Sequence, residues 1–199
     1  MNLLVGLGNP GKKYKDSRHN IGYMAIDMII KKFDLNEKNK NKFGECYEGK
    51  ILNKRIFTLK PKEFINLSGI SIKKIMNFYK ININNLFVIH DDIDLPLGKI
   101  KVKVGGGNAG HNGLKSIDGL IGKNYKRIRI GIDRPLNNKN INKFVLQSFK
   151  KEEKKEIMYS LNRVVSFLEY FINSDTNDIS VLMNELSKNK KIKWVFLVG

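Results

Sequence analysis

Short apolar segments alternate with longer amphipathic stretches along most of this chain. Residues 2–7 have the length and apolar character of one buried strand. From Ile21 onward, apolar side chains recur with the i, i+3, i+4, i+7, i+8 spacing of an amphipathic helix. The same patterns predict further strands within residues 44–59, 86–89, 100–104 and 128–132, and further helices at 72–79, after 111 and at 157–172. This alternation predicts one α/β domain with a mixed, partly parallel, twisted sheet, flanking helices and a C-terminal helix.

The length of the chain favours a single domain. With 199 residues it can build one substantial domain and is short for two. We expect that domain to span residues 1–187, followed by a tail at 188–199 that is first basic and then apolar. Residues 136–142 are rich in Asn and poor in apolar side chains, which predicts a mobile loop inside the domain.

Membrane, secretory and disulfide-rich classes fit the sequence poorly. Its apolar runs fall short of the ~20 residues that cross a bilayer, and its first residues lack the basic leader of a signal peptide. The single cysteine, Cys46, excludes an intramolecular disulfide framework and a zinc cage built from cysteines. We therefore expect a cytoplasmic protein without a membrane partner.

The charge of the chain points to an anionic partner. Lys and Arg number 37 against 19 Asp and Glu, a formal net charge of +18. So large a basic excess suggests a polyanion, most often nucleic acid. Lys, Asn and Ile are all frequent, however, and their codons are AT-rich, so genome composition is an alternative source of the lysines.

The first glycine-rich turn has the spacing of a dinucleotide-binding loop without its context. Gly6, Gly8 and Gly11 match G-x-G-x-x-G after a predicted strand. Pro10 and the charged residues 12–18 stand where the helix of such a site would begin. A phosphate-binding P-loop is also disfavoured, because Gly11-Lys12 is followed by Lys rather than Ser or Thr.

The three histidines all lie at predicted turns or element ends. His19 precedes the first helix, His90 adjoins Asp91, and His111 lies within a glycine-rich segment. A histidine paired with a carboxylate can serve as a general base, whereas a single histidine beside a turn is more often a capping or surface residue. A zinc or iron site on His19, Asp91 and His111, with the neighbouring aspartates, is a further alternative, but the sequence has no local H-x-x-x-H spacing.

A second glycine-rich segment, residues 105–113, follows a strand striped with lysines. Glycines at this density let the backbone approach a ligand closely and expose its N–H groups. Lysines at 99, 101, 103 and 115 surround the segment and would favour an anion. The alternative is a flexible hairpin with a solvated lysine face.

Six segments carry a resemblance to one known family. They are residues 5–11 (VGLGNPG), Tyr14 with 18–20 (RHN), 64–69 (FINLSG), 90–96 (HDDIDLP), 105–114 (GGGNAGHNGL) and 127–132 (RIRIGI). In this order they resemble the sequence blocks of bacterial-type peptidyl-tRNA hydrolases. The resemblance implies an enzyme that cleaves the ester joining a peptide to the 3′ ribose of tRNA and so frees the tRNA.

The resemblance also implies roles for individual residues at the reaction centre. His19 is similar to the catalytic base of the family, and Asp91 to the carboxylate that orients it. Asn9, Asn66 and Asn112 resemble the asparagines that hold the peptide backbone and the attacking water. No G-x-S-x-G motif is present, so water activated by His19 is favoured over an acyl-enzyme. Whether the helix dipole or Asp91 controls the charge of His19 stays open at this stage.

On the tRNA side, His111 is similar to a residue that contacts the acceptor end, and Lys103 and Arg129 to residues that clamp a phosphate. The implied partner is peptidyl-tRNA, bound through its acceptor stem and 3′ end. We expect the protein to act as a monomer, without a cofactor and without a metal ion.

The remaining implied positions lie along the cleft. Tyr14 resembles an aromatic residue of the cleft wall, and Ile65 stands where the family usually has Met. Residues 136–149 resemble a mobile lid loop. The main alternative function is an RNA-binding protein on the same fold that has lost hydrolysis, and the second is a metallohydrolase.

Overall fold

The strands of the chain form one seven-stranded sheet. The computed structural model describes residues 1–41, 43–135 and 140–173. In chain order the strands are β1 (Asn2–Gly6), β2 (Asn36–Asn41), β3 (Gly44–Ile51), β4 (Lys54–Pro61), β5 (Leu86–Asp92), β6 (Ile100–Val104) and β7 (Lys126–Gly131). Their order across the sheet is β2-β3-β4-β1-β5-β7-β6. The central strands β4, β1, β5 and β7 pair in parallel, and β2, β3 and β6 pair antiparallel with their neighbours, which confirms the predicted mixed sheet.

Helices cover both faces of this sheet. They are α1 (Ile21–Lys32), α2 (Ser68–Phe78), α3 (Asn112–Ile121), α4 (Ile141–Val145) and α5 (Lys151–Asn173). One apolar core joins α1 and α5 to the sheet, and a second joins α2 and α3 to its other face. Leu4 belongs to the first core and its neighbours Leu3 and Val5 to the second, as the alternating side chains of a strand require.

Strands β3 and β4 are the strand pair predicted within residues 44–59. Leu52 and Asn53 connect them with φ of 46° and 61°, the positive values of a two-residue hairpin turn. Strand β2, in contrast, was not predicted, because its sequence NEKNKN has no apolar alternation. It pairs with β3 at the edge of the sheet, where backbone hydrogen bonds rather than burial define a strand.

The prediction of a loop at residues 136–142 is wrong at its end. Residues 136–139 lie outside the described residues, and α4 begins at Ile141. This helix is only five residues long, so packing holds it more than propensity does. Val145 and the following Phe149 are buried in the core that contains α1 and α5. The predicted tail at 188–199 also lies outside the described residues.

The carboxyl ends of the parallel strands bring loops of the six segments next to one another. Gly6 at the end of β1 pairs with Ile89 of β5, so the turn after β1 lies beside the last residues of β5. Helix α1 packs closely on these strands through Gly22, because a Cβ there would lie 2.3 Å from the Ile89 carbonyl oxygen. Because α1 lies so close to the strands, residues 18–20, which precede α1, lie near the end of β5. Ligands of open α/β sheets bind at such edges. Among the described helices, none combines the length and apolar character needed to span a membrane.

Candidate active site

His19 and Asp91 form a buried pair at this edge of the sheet. His19 lies in a single 3₁₀ turn, Arg18–Asn20, that leads into α1, and Asp91 lies near the end of β5. The His19 Nδ1 is 2.8 Å from Asp91 Oδ1 and 2.9 Å from Oδ2. A carboxylate only accepts hydrogen bonds, so Nδ1 carries a proton, and in the neutral ring the lone pair is therefore on Nε2. This is the tautomer that a general base requires.

His111 is a second imidazole on the same carboxylate. Its Nδ1 accepts hydrogen bonds from the backbone N–H groups of Gly113 and Leu114, at 3.1 and 3.3 Å, and so caps the N-terminus of α3. Because Nδ1 accepts, Nε2 carries the proton, and it donates to Asp91 Oδ1 over 3.0 Å. The rings of His19 and His111 lie 4.8 Å apart. Both ring nitrogens of His111 are therefore engaged within the protein, and its contact with the tRNA acceptor end stays a prediction.

The Asp91 charge controls the ionisation of His19. Burial lowers the pKa of His19, but the charge of Asp91 and its hydrogen bond outweigh burial, so the pKa lies above the ordinary value of 6.5. Burial raises the pKa of the Asp91 carboxyl, yet the His19 and His111 imidazoles hold it well below 3.8. The direction of this shift favours Asp91 over the helix dipole as the group that controls the charge of His19.

His90 has a different environment from the other two histidines. Its Nδ1 donates to the Asp91 carbonyl oxygen over 2.7 Å, and the side chain is buried. Burial, together with the nearby His111, lowers the pKa of His90 to about 3. His90 is therefore neutral at physiological pH and supports the backbone of Asp91.

The buried amides of Asn9 and Asn20 connect the first glycine-rich turn to the turn that carries His19. Asn20 accepts from the Asn9 N–H over 2.8 Å and donates to the Asn9 carbonyl oxygen over 2.9 Å. The Asn9 side chain accepts from the Ile65 N–H over 2.9 Å through Oδ1. This contact fixes the orientation of the Asn9 amide, and its Nδ2 donor has no acceptor among the described residues.

A cavity of about 400 Å³ opens over the His19–Asp91 pair. It brings together most of the residues implied by the resemblance, which are His19, Asp91, Lys103, His111, Asn112 and Arg129. Ile141 and Val145 of α4 form an apolar part of its wall. The cavity therefore combines a buried base, an amide, an apolar surface and a cationic side.

The cationic side comes from two paired strands. Lys103 of β6 pairs with Arg127 of β7, and Arg129 lies two residues further along β7 on the same face. Arg129 donates to Asp92 over 2.6 Å. Burial and the charges of Arg129 and Arg127 lower the pKa of Lys103. An anion bound here would relieve the repulsion among these cations.

Arg127 holds the second glycine-rich segment in place. Its guanidinium, fully buried, donates to the carbonyl oxygens of Gly106 and Gly107 at 3.0 and 2.9 Å, and to Asp118 of α3 at 3.0 Å. Tyr125 donates to the same carboxylate over 2.8 Å. Residues 105–110 are thus fixed to the sheet and to α3 beneath the cationic side of the cavity.

The other residues implied by the resemblance lie outside the lining of this cavity. Ile65 is buried and contacts Asn9 through its N–H, while Asn66 is exposed in the same 3₁₀ turn. Tyr14 packs edge-to-face on Phe64 with 6.3 Å between ring centroids. These residues therefore lie in the loops next to the cavity. Asn9 connects them to the turn that carries His19, because it contacts Ile65 through its side chain and Asn20 through its backbone.

The ligand atoms of His19, Asp91 and His111 lie within 4.8 Å of one another. Their hydrogen bonds do not suit a metal ion, however. A neutral His111 that caps α3 through Nδ1 has its proton on Nε2, the nitrogen that faces Asp91. A metal ion needs a nitrogen lone pair at that position, so the metallohydrolase alternative loses support.

Sequence reasoning missed two buried arginines next to the site, Arg18 and Arg127. Arg127 could have been found, because basic side chains alternate along both β6 and β7 and alternation places them on one face. Arg18 could not, since its partner Glu153 is 135 residues away in sequence. The sequence likewise gave no indication that the Asn20 side chain holds Asn9.

Comparisons with known proteins agree on one family. The family model described as peptidyl-tRNA hydrolase matches residues 3–193. A peptidyl-tRNA hydrolase of Rickettsia peacockii (strain Rustic) is 48% identical over 167 residues, which cover 83% of this chain and 92% of that protein. The one of Rickettsia prowazekii (strain Madrid E) is 47% identical over 184 residues, 90% of this chain and 100% of that protein. A crystal structure of peptidyl-tRNA hydrolase from Acinetobacter baumannii matches 92% of this chain and 94% of its own with 31% identity and a TM-score of 0.88.

Proposed function

The chain belongs to the peptidyl-tRNA hydrolase family, and on that premise we propose how its own residues hydrolyse peptidyl-tRNA. The reaction is hydrolysis of the ester between the peptide and the 3′ ribose of tRNA. The observation that supports this assignment best is the His19–Asp91 pair, whose hydrogen bonds place the lone pair of the neutral His19 ring on Nε2, at the cavity that His19 lines. An ester needs only a water activated by such a base, without a covalent intermediate on the protein.

In the proposed mechanism, His19 Nε2 takes a proton from a water molecule as the water oxygen attacks the ester carbonyl carbon. The resulting imidazolium is stabilised by Asp91, which already raises the pKa of His19. The tetrahedral intermediate then collapses, the bond to the ribose 3′ oxygen breaks, and the imidazolium returns its proton to that oxygen. The products are a peptide carboxylic acid and a tRNA with a free 3′ hydroxyl.

Amide donors are suited to the negative charge that develops on the carbonyl oxygen. Asn112 begins α3 and lines the cavity, so its side chain and the helix N-terminus both favour an oxyanion. Asn9 presents Nδ2 because Ile65 holds its Oδ1. We assign Asn9 and Asn112 to the carbonyl oxygen and the water, and the exposed Asn66 to the peptide backbone. Amides add no titrating charge to the site.

The cationic side of the cavity is assigned to the acceptor end of tRNA. Lys103 and Arg129 would contact a backbone phosphate, which offers the charge that the crowded cations of β6 and β7 lack. The two terminal nitrogens of the Arg127 guanidinium already donate to Gly106, Gly107 and Asp118, so we assign Arg127 to the support of the site rather than to phosphate. The apolar Ile141 and Val145 face the same cavity and suit the base of the terminal nucleotide.

The direct test is hydrolysis of N-acetylated aminoacyl-tRNA in the presence of EDTA, with unblocked aminoacyl-tRNA as the matched control substrate. We expect rapid release of free tRNA from the blocked substrate alone. Tight tRNA binding without cleavage would instead support the RNA-binding alternative. Loss of activity in EDTA, restored by a divalent metal ion, would support the metallohydrolase.

A further inference from the structure

Arg18, the residue before His19, is a buried cation with no part in the chemistry described above. Its side chain is 2% exposed, and Nη2 donates to both carboxylate oxygens of Glu153, at 3.0 and 2.8 Å. The guanidinium carbon lies 4.5 Å from the ring centroid of Phe144 and 4.9 Å from that of Phe149. The guanidinium therefore lies over two aromatic rings and is paired with a carboxylate.

Two nitrogens of the Arg18 guanidinium, Nε and Nη1, are buried without a hydrogen-bond partner among the described residues. A planar guanidinium over aromatic faces is stabilised through its flat surfaces, which a lysine ammonium cannot reproduce. The position thus requires an arginine for its shape as well as its charge.

The backbone next to Arg18 is joined to the same part of the chain. The Arg18 N–H donates to the Gln147 carbonyl oxygen over 3.0 Å, and Ser17 forms an antiparallel bridge with Ser148. On its other side, His19 is followed by Asn20, which is fixed to Asn9. The turn that carries His19 is therefore held between the Asn9 loop and the segment that connects α4 to α5.

That connecting segment also shapes the cavity. Helix α4 supplies Ile141 and Val145 to the cavity wall and the Phe144 ring to the contact with Arg18. Glu153 lies in the first turn of α5 and accepts from the Lys150 N–H over 2.6 Å, so it fixes the start of that helix. Arg18 itself belongs to the turn that carries His19, and its side chain contacts Phe144 of α4 and Glu153 at the start of α5.

We propose that Arg18 is a positioning residue that aligns His19 with the apolar wall of α4 through its contacts with Phe144 and Phe149. The inference rests on the proposed hydrolytic role of His19. Displacing a catalytic group by about 1 Å can cost about 100-fold in rate, so the loss of these ring contacts slows the chemical step. It leaves the cationic side of the cavity, on β6 and β7, unchanged.

The experiment compares Arg18→Met and Arg18→Lys with the wild type in hydrolysis of N-acetylated aminoacyl-tRNA. For Arg18→Met we expect kcat to fall about 10- to 100-fold, while the Kd for free tRNA changes less than about twofold. Arg18→Lys restores the charge without the flat surface and should recover only part of kcat. Phe144→Leu is a milder change that removes one of the two rings, and it should also lower kcat. If Arg18→Met fails to fold, the kcat of Phe144→Leu tests the proposal instead.

Two control variants separate alignment from general stability. Arg163→Met makes the same substitution at an arginine on α5 that stacks on Tyr159 away from the cavity, and its kcat should equal that of the wild type. Val164→Ala removes buried methyl groups from α5 and should lower the melting temperature without lowering kcat per folded molecule. If the folded Arg18 or Phe144 variants behave like Val164→Ala, Arg18 is structural only and the inference is wrong. A wild-type protein that cleaves nothing overturns the proposed function first, and the inference with it.

Discussion

At the active site a single carboxylate organises two imidazoles. Asp91 accepts from Nδ1 of His19 and from Nε2 of His111, and the backbone beneath it is supported by His90. These contacts fix opposite tautomers on the two rings, so His19 offers a lone pair and His111 a proton. The resemblance implied the pairing of His19 with Asp91, and the structure brings the two together. The tautomer of His111 could not be predicted, because it depends on the start of α3.

Replacing His19 tests its role as the base. We expect His19→Ala to lower kcat by about 10²- to 10⁴-fold, the usual contribution of a positioned base. The Kd for free tRNA should change little, because Lys103 and Arg129 are untouched. The measurement is single-turnover hydrolysis beside equilibrium binding of tRNA. Equal losses of rate and affinity would make His19 a binding or structural residue.

Neutralising Asp91 tests the origin of the raised pKa of His19. The base acts only when unprotonated, so kcat falls at pH values below the pKa of His19, which lies above 6.5 in the wild type. Asp91→Asn removes the charge that raises this pKa and leaves the burial that lowers it. The acid limb of the pH profile should therefore move to lower pH, with a reduced plateau because the orientation of His19 is weakened.

The pH profile of kcat, recorded with circular dichroism on the same samples, makes this measurement. An acid limb that stays in place would mean that another group controls the ionisation. A variant that is unfolded at 25 °C would show instead that Asp91 is needed mainly for stability.

At the scale of single elements, the N-terminus of α3 belongs to the active site and to the fold at once. His111 caps the helix through Nδ1, while Asn112, the first helical residue, faces the cavity. The cap thus links the position of the Asn112 amide to the position of Asp91. A histidine is an unusual cap, and its second nitrogen explains why it is present here.

We expect His111→Ala to lose about 0.5–2 kcal/mol of stability, the usual cost of removing an N-cap. His111→Asn should keep most of it, because asparagine is among the best N-caps. Both variants lose the N–H that donates to Asp91, so the difference between them isolates the cap. Urea denaturation of the two variants gives this difference, and equal stabilities would show that the Nδ1 contacts do not stabilise α3.

The elements that sequence predicted are those with a clear period. Each of these elements buries one or two apolar faces, so its sequence shows the spacing of a strand or a helix. They include β1, β5, β7, α1, α2 and α5. Strand β2 has no such pattern because it lies at an edge. Helix α4 is short and depends on contacts with Arg18 and the core, which join residues far apart in sequence. The role of Arg18 could not be predicted for the same reason, because its partner Glu153 is 135 residues away in sequence.

At the scale of the whole molecule, the net charge of +18 is much larger than the few cations that line the cavity. Cations that contact RNA release counterions, and each such contact steepens the salt dependence of binding. Salt dependence therefore reports how many of the basic residues serve binding. The remainder are available for solubility or for long-range attraction of tRNA.

Lys103→Ala should raise KM and lower the slope of log Kd against log salt by about 1, since one phosphate contact is lost. Lys32→Ala is the matched control. Lys32 is an exposed lysine at the far end of α1, which runs about 18 Å away from the His19 turn. Titration of tRNA between low and moderate salt gives both slopes. An unchanged slope for Lys103→Ala, or an equal change for Lys32→Ala, would contradict the assignment of Lys103.

The central position of β1 also decides when the enzyme becomes competent during its own synthesis. Strand β1 is made before every other described strand, yet both of its neighbours, β4 and β5, are made later. His19 must wait for Asp91, 72 residues further on, and Arg18 for Glu153, 135 residues further on. A nascent chain therefore carries an incomplete active site until the start of α5 has been translated. The family acts on peptidyl-tRNA, and each molecule spends that period as a peptidyl-tRNA itself, before its own candidate active site is assembled.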